Sequence, residues 1–198
     1  MSHAIIGSGN IGTAIARQFA RKAINVALAN ARGPSSLGPL GKELGPHVIP
    51  QTLEAALKAD VVILAVPFSA VPAIARAGDW ANKIVVDATN AIDFPAYTAT
   101  DLGGRPSSEV VAEKLRGARV VKAFNTLPAA VLAMDPSQGG GQRVLFLSGN
   151  HREANSAVAK LAADLGFAPI TLGKLSEGGL LQQYGGPLVI QNLVKMAA

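Results

Sequence analysis

The chain has 198 residues, of which 49% are hydrophobic and 16% charged, with a formal net charge of +5. That length fits one compact domain with at most a small appendage, and a charged fraction below the usual figure of about a quarter leaves part of an apolar face to be covered by a second copy. The absence of cysteine excludes a disulfide framework, a thiolate nucleophile and a cysteine-held metal.

No metal-ligand spacing stands out elsewhere, and no metal is expected. The longest apolar run, 61–66, is far short of the roughly 18 residues that cross a bilayer. The opening Ala4-Ile5-Ile6 runs straight into glycine, unlike a signal peptide. The expectation is therefore no membrane association and a cytoplasmic location. Arg17, Arg21, Lys22, Arg152 and Lys160 are scattered without interleaved aromatics, so no nucleic-acid partner is expected. A small, multiply anionic ligand suits the basic balance better.

Taken in chain order, strand-type runs alternate with amphipathic helical patterns. Strands are predicted at 4–6, 25–29, 47–49, 60–66, 84–87, 119–123, 143–147 and 168–171. Helices are predicted at 11–22, 52–58, 71–76, 108–115 and 152–165. This alternation specifies an α/β fold, a Rossmann-type doubly wound and mostly parallel sheet, with a small C-terminal α/β extension. The run 60–66 is apolar without alternation, as in a central strand buried on both faces.

Two Gly/Pro-rich stretches, 33–46 and 89–105, interrupt the pattern; the second is long for a βα connection, and such loops are usually functional. A third, 137–142, reads as an exposed turn. The tail carries Gly185-Gly186-Pro187 inside an apolar helical pattern, where Pro187 either opens a last helix or kinks a longer one. No linker is long enough to separate two domains, so residues 1–125 are expected as a Rossmann unit and 126–198 as a dependent C-terminal subdomain.

The first strand feeds Gly7-Ser8-Gly9-Asn10-Ile11-Gly12, a G-x-G-x-x-G motif in the strand-to-helix context that makes it informative. Gly7 permits the tight turn, Gly9 lets a pyrophosphate approach the backbone, and Gly12 lets helix pack on strand. The helix N-terminus then offers free N–H groups to the phosphates. An NAD site would place an acidic residue about 20 residues further on, but none occurs before Glu43. The second strand instead ends in Asn30-Ala31-Arg32-Gly33-Pro34. Arg32 stands where a ribose 2′-phosphate would lie, with Asn30 and Ser35 as neutral neighbours; its guanidinium matches phosphate geometry. The bland alternative is a solvated loop charge.

Ligands in open α/β sheets sit off the carboxyl ends of the strands. Pro67, Phe68 and Ser69, then Thr89 and Asn90, then Phe124 to Pro128 occupy those positions. Asn90 and Asn125 either hold a carboxamide or carbonyl, or cap loops. Pro67 and Phe68 either flank a nicotinamide or close the core. His3, His47 and His151 follow no such strand end, neither Tyr97 nor Tyr184 has a lysine four residues on, and Lys122 reads as a structural or edge lysine. No carboxylate is expected at a strand mouth. Without an acid or base to handle a hydroxyl proton, hydride transfer between two cofactors is favoured. A dehydrogenase of a small carbonyl or imino acid, or a non-catalytic NADP-binding protein, is the alternative.

These residues resemble the NADPH-dependent deazaflavin (coenzyme F-420) reductases. The resemblance runs essentially end to end, through Ile6 to Gly12, Asn30 to Pro34, Val62 to Pro67, Asp87-Ala88-Thr89-Asn90, Ser107 to Ala112, and Val120 to Pro128. It implies NADP(H) as cofactor, held by Gly7, Ser8, Gly9, Asn10, Ile11, Gly12, Asn30, Arg32, Ser35, Val66, Pro67, Asn90 and Ala123. It implies a deazaflavin or flavin as redox substrate beside Asn125, Thr126, Leu127 and Pro128. No side chain is expected to be catalytic, Asn90 and Asn125 acting as orienting residues. A homodimer is implied as well, and the apolar positions between Leu180 and Val194 are where it is expected. Characterised deazaflavin reductases carry histidine where this chain has Asn125, and a related domain occurs in membrane ferric reductases.

Overall fold

A computed structural model describes residues 1–196. The chain runs through β1 (His3–Ile6), α1 (Asn10–Arg21), β2 (Val26–Ala29), α2 (Gly38–Leu44), β3 (Val48–Pro50), α3 (Leu53–Ala56), β4 (Val61–Leu64), α4 (Val71–Ala75) and β5 (Ile84–Asp87). It continues through β6 (Ile92–Asp93), β7 (Thr98–Ala99), α5 (Ser107–Lys114), β8 (Arg119–Ala123), α6 (Ala129–Ala133), β9 (Ser137–Gln138) and β10 (Gly141–Gly149). The last elements are α7 (Arg152–Asp164), β11 (Ala168–Thr171), α8 (Gly178–Gln182) and β12 (Val194–Met196).

The main sheet has the order β11-β10-β8-β5-β4-β1-β2-β3. From β3 to β8 every neighbour pair is parallel, while β10 runs antiparallel to β8 and β11 is parallel to β10. The fold is Rossmann-type, and the chain reverses its winding between β1 and β4, the place where such sheets open a ligand crevice. Strands β4 and β5 are buried along their whole length, which explains the unbroken apolar sequence of β4 and of Ile84 to Val86 in β5.

Each strand feeds both layers because successive side chains point to opposite faces. Ile5, Ile63, Val86 and Val121 join Ile15, Phe19 and Val158 on the face covered by α1 and α7. Ala4, Ile6, Val62, Val85 and Val120 join Val111 and Trp80 on the other face. Phe19 is fully buried at the centre of the first layer, and burying a side chain of that size contributes about 1.5–3 kcal/mol.

Several expectations are corrected. The stretch 33–46 contains a helical turn at Pro34–Leu37 and then α2, which together bury Leu37 and Leu44. The long 89–105 connection carries the two-stranded hairpin of β6 and β7. The stretch 137–142 is an exposed turn as expected, that of the tight β9–β10 hairpin, with Gly139 and Gly140 at positive φ. The tail is not one long helix: α8 stops at Gln182 and the chain crosses as turns through Pro187. It returns as β12, antiparallel to the start of β10. Partly buried Leu188 packs there against Val144, Phe146 and Ala168. The helix α6 after Pro128 has no counterpart in the sequence pattern, being a single turn of small apolar residues.

Lys122 is no edge lysine. It lies fully buried on β8, between β5 and β10, and directly opposite Asp87 of β5. Asp87 itself is a carboxylate at a strand mouth, which the sequence reading did not pick out.

Candidate functional site

The loop between β1 and α1 is shaped by two close approaches. A Cβ on Gly7, whose φ is +112°, would overlap the Ala65 carbonyl at the end of β4, and one on Gly12 would overlap the Gly7 carbonyl. Any larger residue at either position would push helix from strand. Gly9 differs: its φ of −75° suits any residue, and no protein atom lies within 4 Å of where its Cβ would be. The protein therefore has no internal need for glycine there. The first helical bond is from Thr13 N–H to Gly9 O, so the N–H groups of Asn10, Ile11 and Gly12 precede it. No side chain caps this end and no acidic residue occupies the first turn.

At the end of β2, Asn30 bridges two loops. Its Nδ2 donates to Ser8 Oγ (2.9 Å) and Ser36 Oγ (3.1 Å), and its Oδ1 accepts the Arg32 backbone N–H (2.9 Å). Asn30 thus fixes the Arg32 turn to the glycine loop. Sequence reasoning named Ser35, which is exposed, but missed Ser36, the serine within this network. An Asn six residues before a Ser carries no recognisable spacing signal. The Arg32 side chain is exposed, without an ion-pair partner among the described residues.

Off β1, β4 and β5 lies a cavity of about 450 Å³ lined by Gly9, Asn10, Ile11, Ala65, Val66, Pro67, Phe68, Ser69, Ala88, Thr89, Asn90, Ile92 and Phe94. It brings together the glycine loop, Val66, Pro67 and Asn90. None of its lining side chains titrates in the physiological range. Ser8, Gly9 and Asn10 also border a second hollow of about 390 Å³ against Ala129, Ala130 and Ala133, so the helix following Pro128 lies beside the phosphate loop.

Asn125 reaches the cavity only through Asn90. Asn90 Nδ2 donates to Asn125 O (3.0 Å), while Asn125 Nδ2 donates to Asn90 Oδ1 (3.0 Å) and Gln182 O (2.7 Å). Two carbonyl acceptors fix which way the Asn125 amide faces. Its Oδ1 is buried without a partner among the described residues, a costly condition unless a donor completes it. Phe124, just before it, has φ +64°, a conformation that costs bulky residues of order 1–3 kcal/mol. Ala123, Thr126 and Leu127 are buried, Pro128 is exposed, and Thr126 O accepts the Ile190 N–H (2.7 Å).

Beneath Thr89 and Asn90 lies a fully buried polar cluster. Asp87 Oδ1 accepts the backbone N–H (3.0 Å) and hydroxyl (2.6 Å) of Thr89; its Oδ2 accepts Ser108 Oγ and Lys122 Nζ (3.3 Å). Lys122 Nζ also donates to Thr89 O (3.2 Å). Gln182, equally buried, donates to Phe146 O (3.0 Å) and accepts from Ser148 Oγ (2.7 Å). Sequence reasoning missed Asp87, Ser108 and Gln182 as supports; the polar Asp87 ending an apolar strand was the available signal.

This geometry is that of a Rossmann fold with a crevice beside a glycine-rich loop. The chain belongs to the family described as NADP oxidoreductase coenzyme F420-dependent, whose model matches residues 2–91. It is similar over 98% of its length, at 55% identity and a TM-score of 0.95, to a hypothetical protein SMa0349 from Sinorhizobium meliloti, 96% of which is covered. A protein from Arthrobacter sp. FB24, provisionally assigned as an F420-dependent NADP-reductase, is 28% identical with a TM-score of 0.76, over 89% of this chain and 86% of that one.

Rat metalloreductase STEAP3 is 27% identical across 87% of this chain, and human metalloreductase STEAP2 24% identical across 94%. The chain spans only 34% and 38% of those two proteins. Among the described residues no helix is long and apolar enough to cross a membrane.

Proposed function

We propose that the protein binds NADP(H) along the crevice between β1 and β4 and moves hydride between it and a flavin-like acceptor, in the first instance a 5-deazaflavin. The observation that carries this reading is the 450 Å³ cavity beside the glycine loop, walled by Ile11, Pro67 and Phe68 and floored by Asn90, with no titratable side chain in its lining. Oxidising an alcohol requires a positioned acid or base; transfer between two rings requires positioning alone.

The open Gly9 position and the uncapped start of α1 support a pyrophosphate there. Arg32, with no carboxylate partner, faces the 2′-phosphate, and Asn30 holds its turn in place. Bound NADPH would supply a hydride from C4 of its nicotinamide. Val66 and Pro67 set the ring against β4, Asn90 orients the rings through hydrogen bonds, and Asn125 acts through Asn90 by holding its amide in place. Ala123 and Thr126 to Pro128 shape the wall behind them. Exposed Leu180, Leu181, Ile190 and Leu193 are the surface of a homodimer in this reading, and a monomer in sedimentation at micromolar concentration would remove that part.

The test is NADPH oxidation with FMN, FAD and a 5-deazaflavin as acceptors. Turnover with at least one of them is expected, with a single-turnover hydride step nearly flat between about pH 6 and 8.5, the range centred on an unperturbed histidine. Absence of turnover with every flavin overturns the reading. So does a step that titrates and loses its titration when His3, His47 or His151 is replaced.

A further inference from the structure

The 89–105 connection has no part in the sheet, yet its hairpin stands over the cavity. Phe94 lines that cavity from the hairpin side. Phe19, Phe124, Phe167 and Trp80 are buried in the core, whereas Phe94 and Tyr97 are each 66% exposed. Their ring centroids lie 5.0 Å apart at 78°. In an edge-to-face pair at least one face of Phe94 is left uncovered by Tyr97.

The hairpin is also tied down. Thr100 N–H donates to Ala91 O (3.1 Å) across its base, Thr100 Oγ1 donates to Asp93 Oδ1 (2.7 Å), and Tyr184 Oη donates to Tyr97 O (2.9 Å) near its tip. Holding two large aromatics in water brings no burial of their own, so their fixed placement calls for something to cover them.

We propose that Phe94 stacks on the planar aromatic ring of the acceptor, with Tyr97 and the Tyr184 tether acting as positioning residues. The proposal rests on the hydride-transfer reading of the cavity and names its second substrate as a planar heterocycle. A small keto or imino acid would offer Phe94 no π face. It would also bring a carboxylate into a cavity whose lining holds no cation. Stacking on an aromatic ring is tolerant of the substituents around it, so tails attached to the heterocycle are left to solvent.

The experiment titrates FMN and 5-deazariboflavin, by fluorescence, against wild type, Phe94→Ala, Phe94→Tyr and Tyr184→Phe, each saturated with NADP+. NADPH affinity is measured separately for each variant. Phe94→Ala should weaken both rings by roughly two- to thirteenfold, the scale of one aromatic pair, with Phe94→Tyr restoring the wild-type value. Tyr184→Phe should give a smaller loss, and NADPH affinity should not change in any variant. Circular dichroism checks that the exposed substitutions leave the fold alone.

Unchanged ring affinity in Phe94→Ala overturns the proposal, and so does a wild type that binds neither ring. A loss of NADPH affinity with ring affinity intact also overturns it, by placing Phe94 on the nicotinamide instead. Ring binding that depends on Phe94 without any NADPH-driven reduction would uphold the stacking and overturn the hydride-transfer reading, so the two fail separately.

Discussion

At the scale of single residues, the glycine loop separates two glycines the fold needs from one it does not. Gly7 and Gly12 are pressed against backbone, whereas Gly9 looks into open space with a backbone conformation any residue accepts. Gly9→Val should therefore fold with a thermal midpoint close to wild type and lose NADP(H) binding by calorimetry; retained affinity would make the loop structural only. In the proposed site Arg32 would carry the choice between dinucleotides. A charge-assisted bond is worth about 1.5–3 kcal/mol, or roughly ten- to a hundredfold, so NADPH should bind at least that much more tightly than NADH. Arg32→Asp should abolish the preference, and an unaltered ratio of dissociation constants would reduce Arg32 to a surface charge. These assignments were legible because each lies next to its neighbours in sequence. Gln182 and the hairpin aromatics were not, since their importance arises from contacts across as many as 87 positions, as between Tyr184 and Tyr97, and Ser36 was not because an Asn–Ser pair six positions apart carries no spacing signal.

At the scale of elements, the mouths of β5 and β8 are braced by ionic chemistry inside the sheet. Asp87 and Lys122 pair directly across the strands with no exposure to water. Desolvation makes such a pair a poor source of net stability, but removing one partner strands the other. Lys122→Met should cost about 3–5 kcal/mol on that basis, read from urea denaturation. Adding Asp87→Asn should recover much of the loss, because the neutral amide no longer needs a counter-charge, its oxygen can accept from Thr89 and its NH2 can donate to Ser108 Oγ. A double variant no more stable than the single would show that the hydrogen bonds, not the charge, set the cost. The β-α alternation made the parallel strands readable from periodicity alone. The same method read the tail as helical because apolar residues spaced through 180–194 satisfy a helical pattern. Tertiary pairing of β12 with β10 and the packing of Leu188 override it.

At the scale of the molecule, stability should respond to acid in two stages. Burial against Phe19, at a centroid distance of 5.5 Å, holds the His3 pKa below its ordinary value. The unfolded chain then takes up a proton at about pH 6.5 that the native state resists, so stability falls as pH drops through that value. Asp60 behaves differently in origin. Hydrogen bonds from the Ser2 backbone N–H (2.7 Å) and hydroxyl (3.0 Å) hold its carboxyl below the usual range. Its contribution is present above about pH 3.9 and is lost as pH falls through the lower native value. The urea midpoint should therefore decline between pH 7.5 and 5 in wild type and decline less in His3→Gln. Identical slopes would dismiss His3 as the source.

The continuity of the sheet has a last consequence, for how such a protein changes its substrate. Gly7, Asn90 and Asn125 follow β1, β5 and β8, which with the intervening β4 are adjacent strands of one sheet. Strands repeat every 4.7–4.9 Å or so, making the row of mouths a ruler about 14 Å long. Its graduations are set by backbone hydrogen bonds and move little when surface loops are exchanged. The hairpin at 92–99 hangs outside that ruler, joined to it through Ala91 and Thr100. Grafting a different hairpin there should therefore retune which acceptor is taken while leaving NADPH affinity where the sheet sets it. The cofactor's address and the acceptor's would thus be inherited separately.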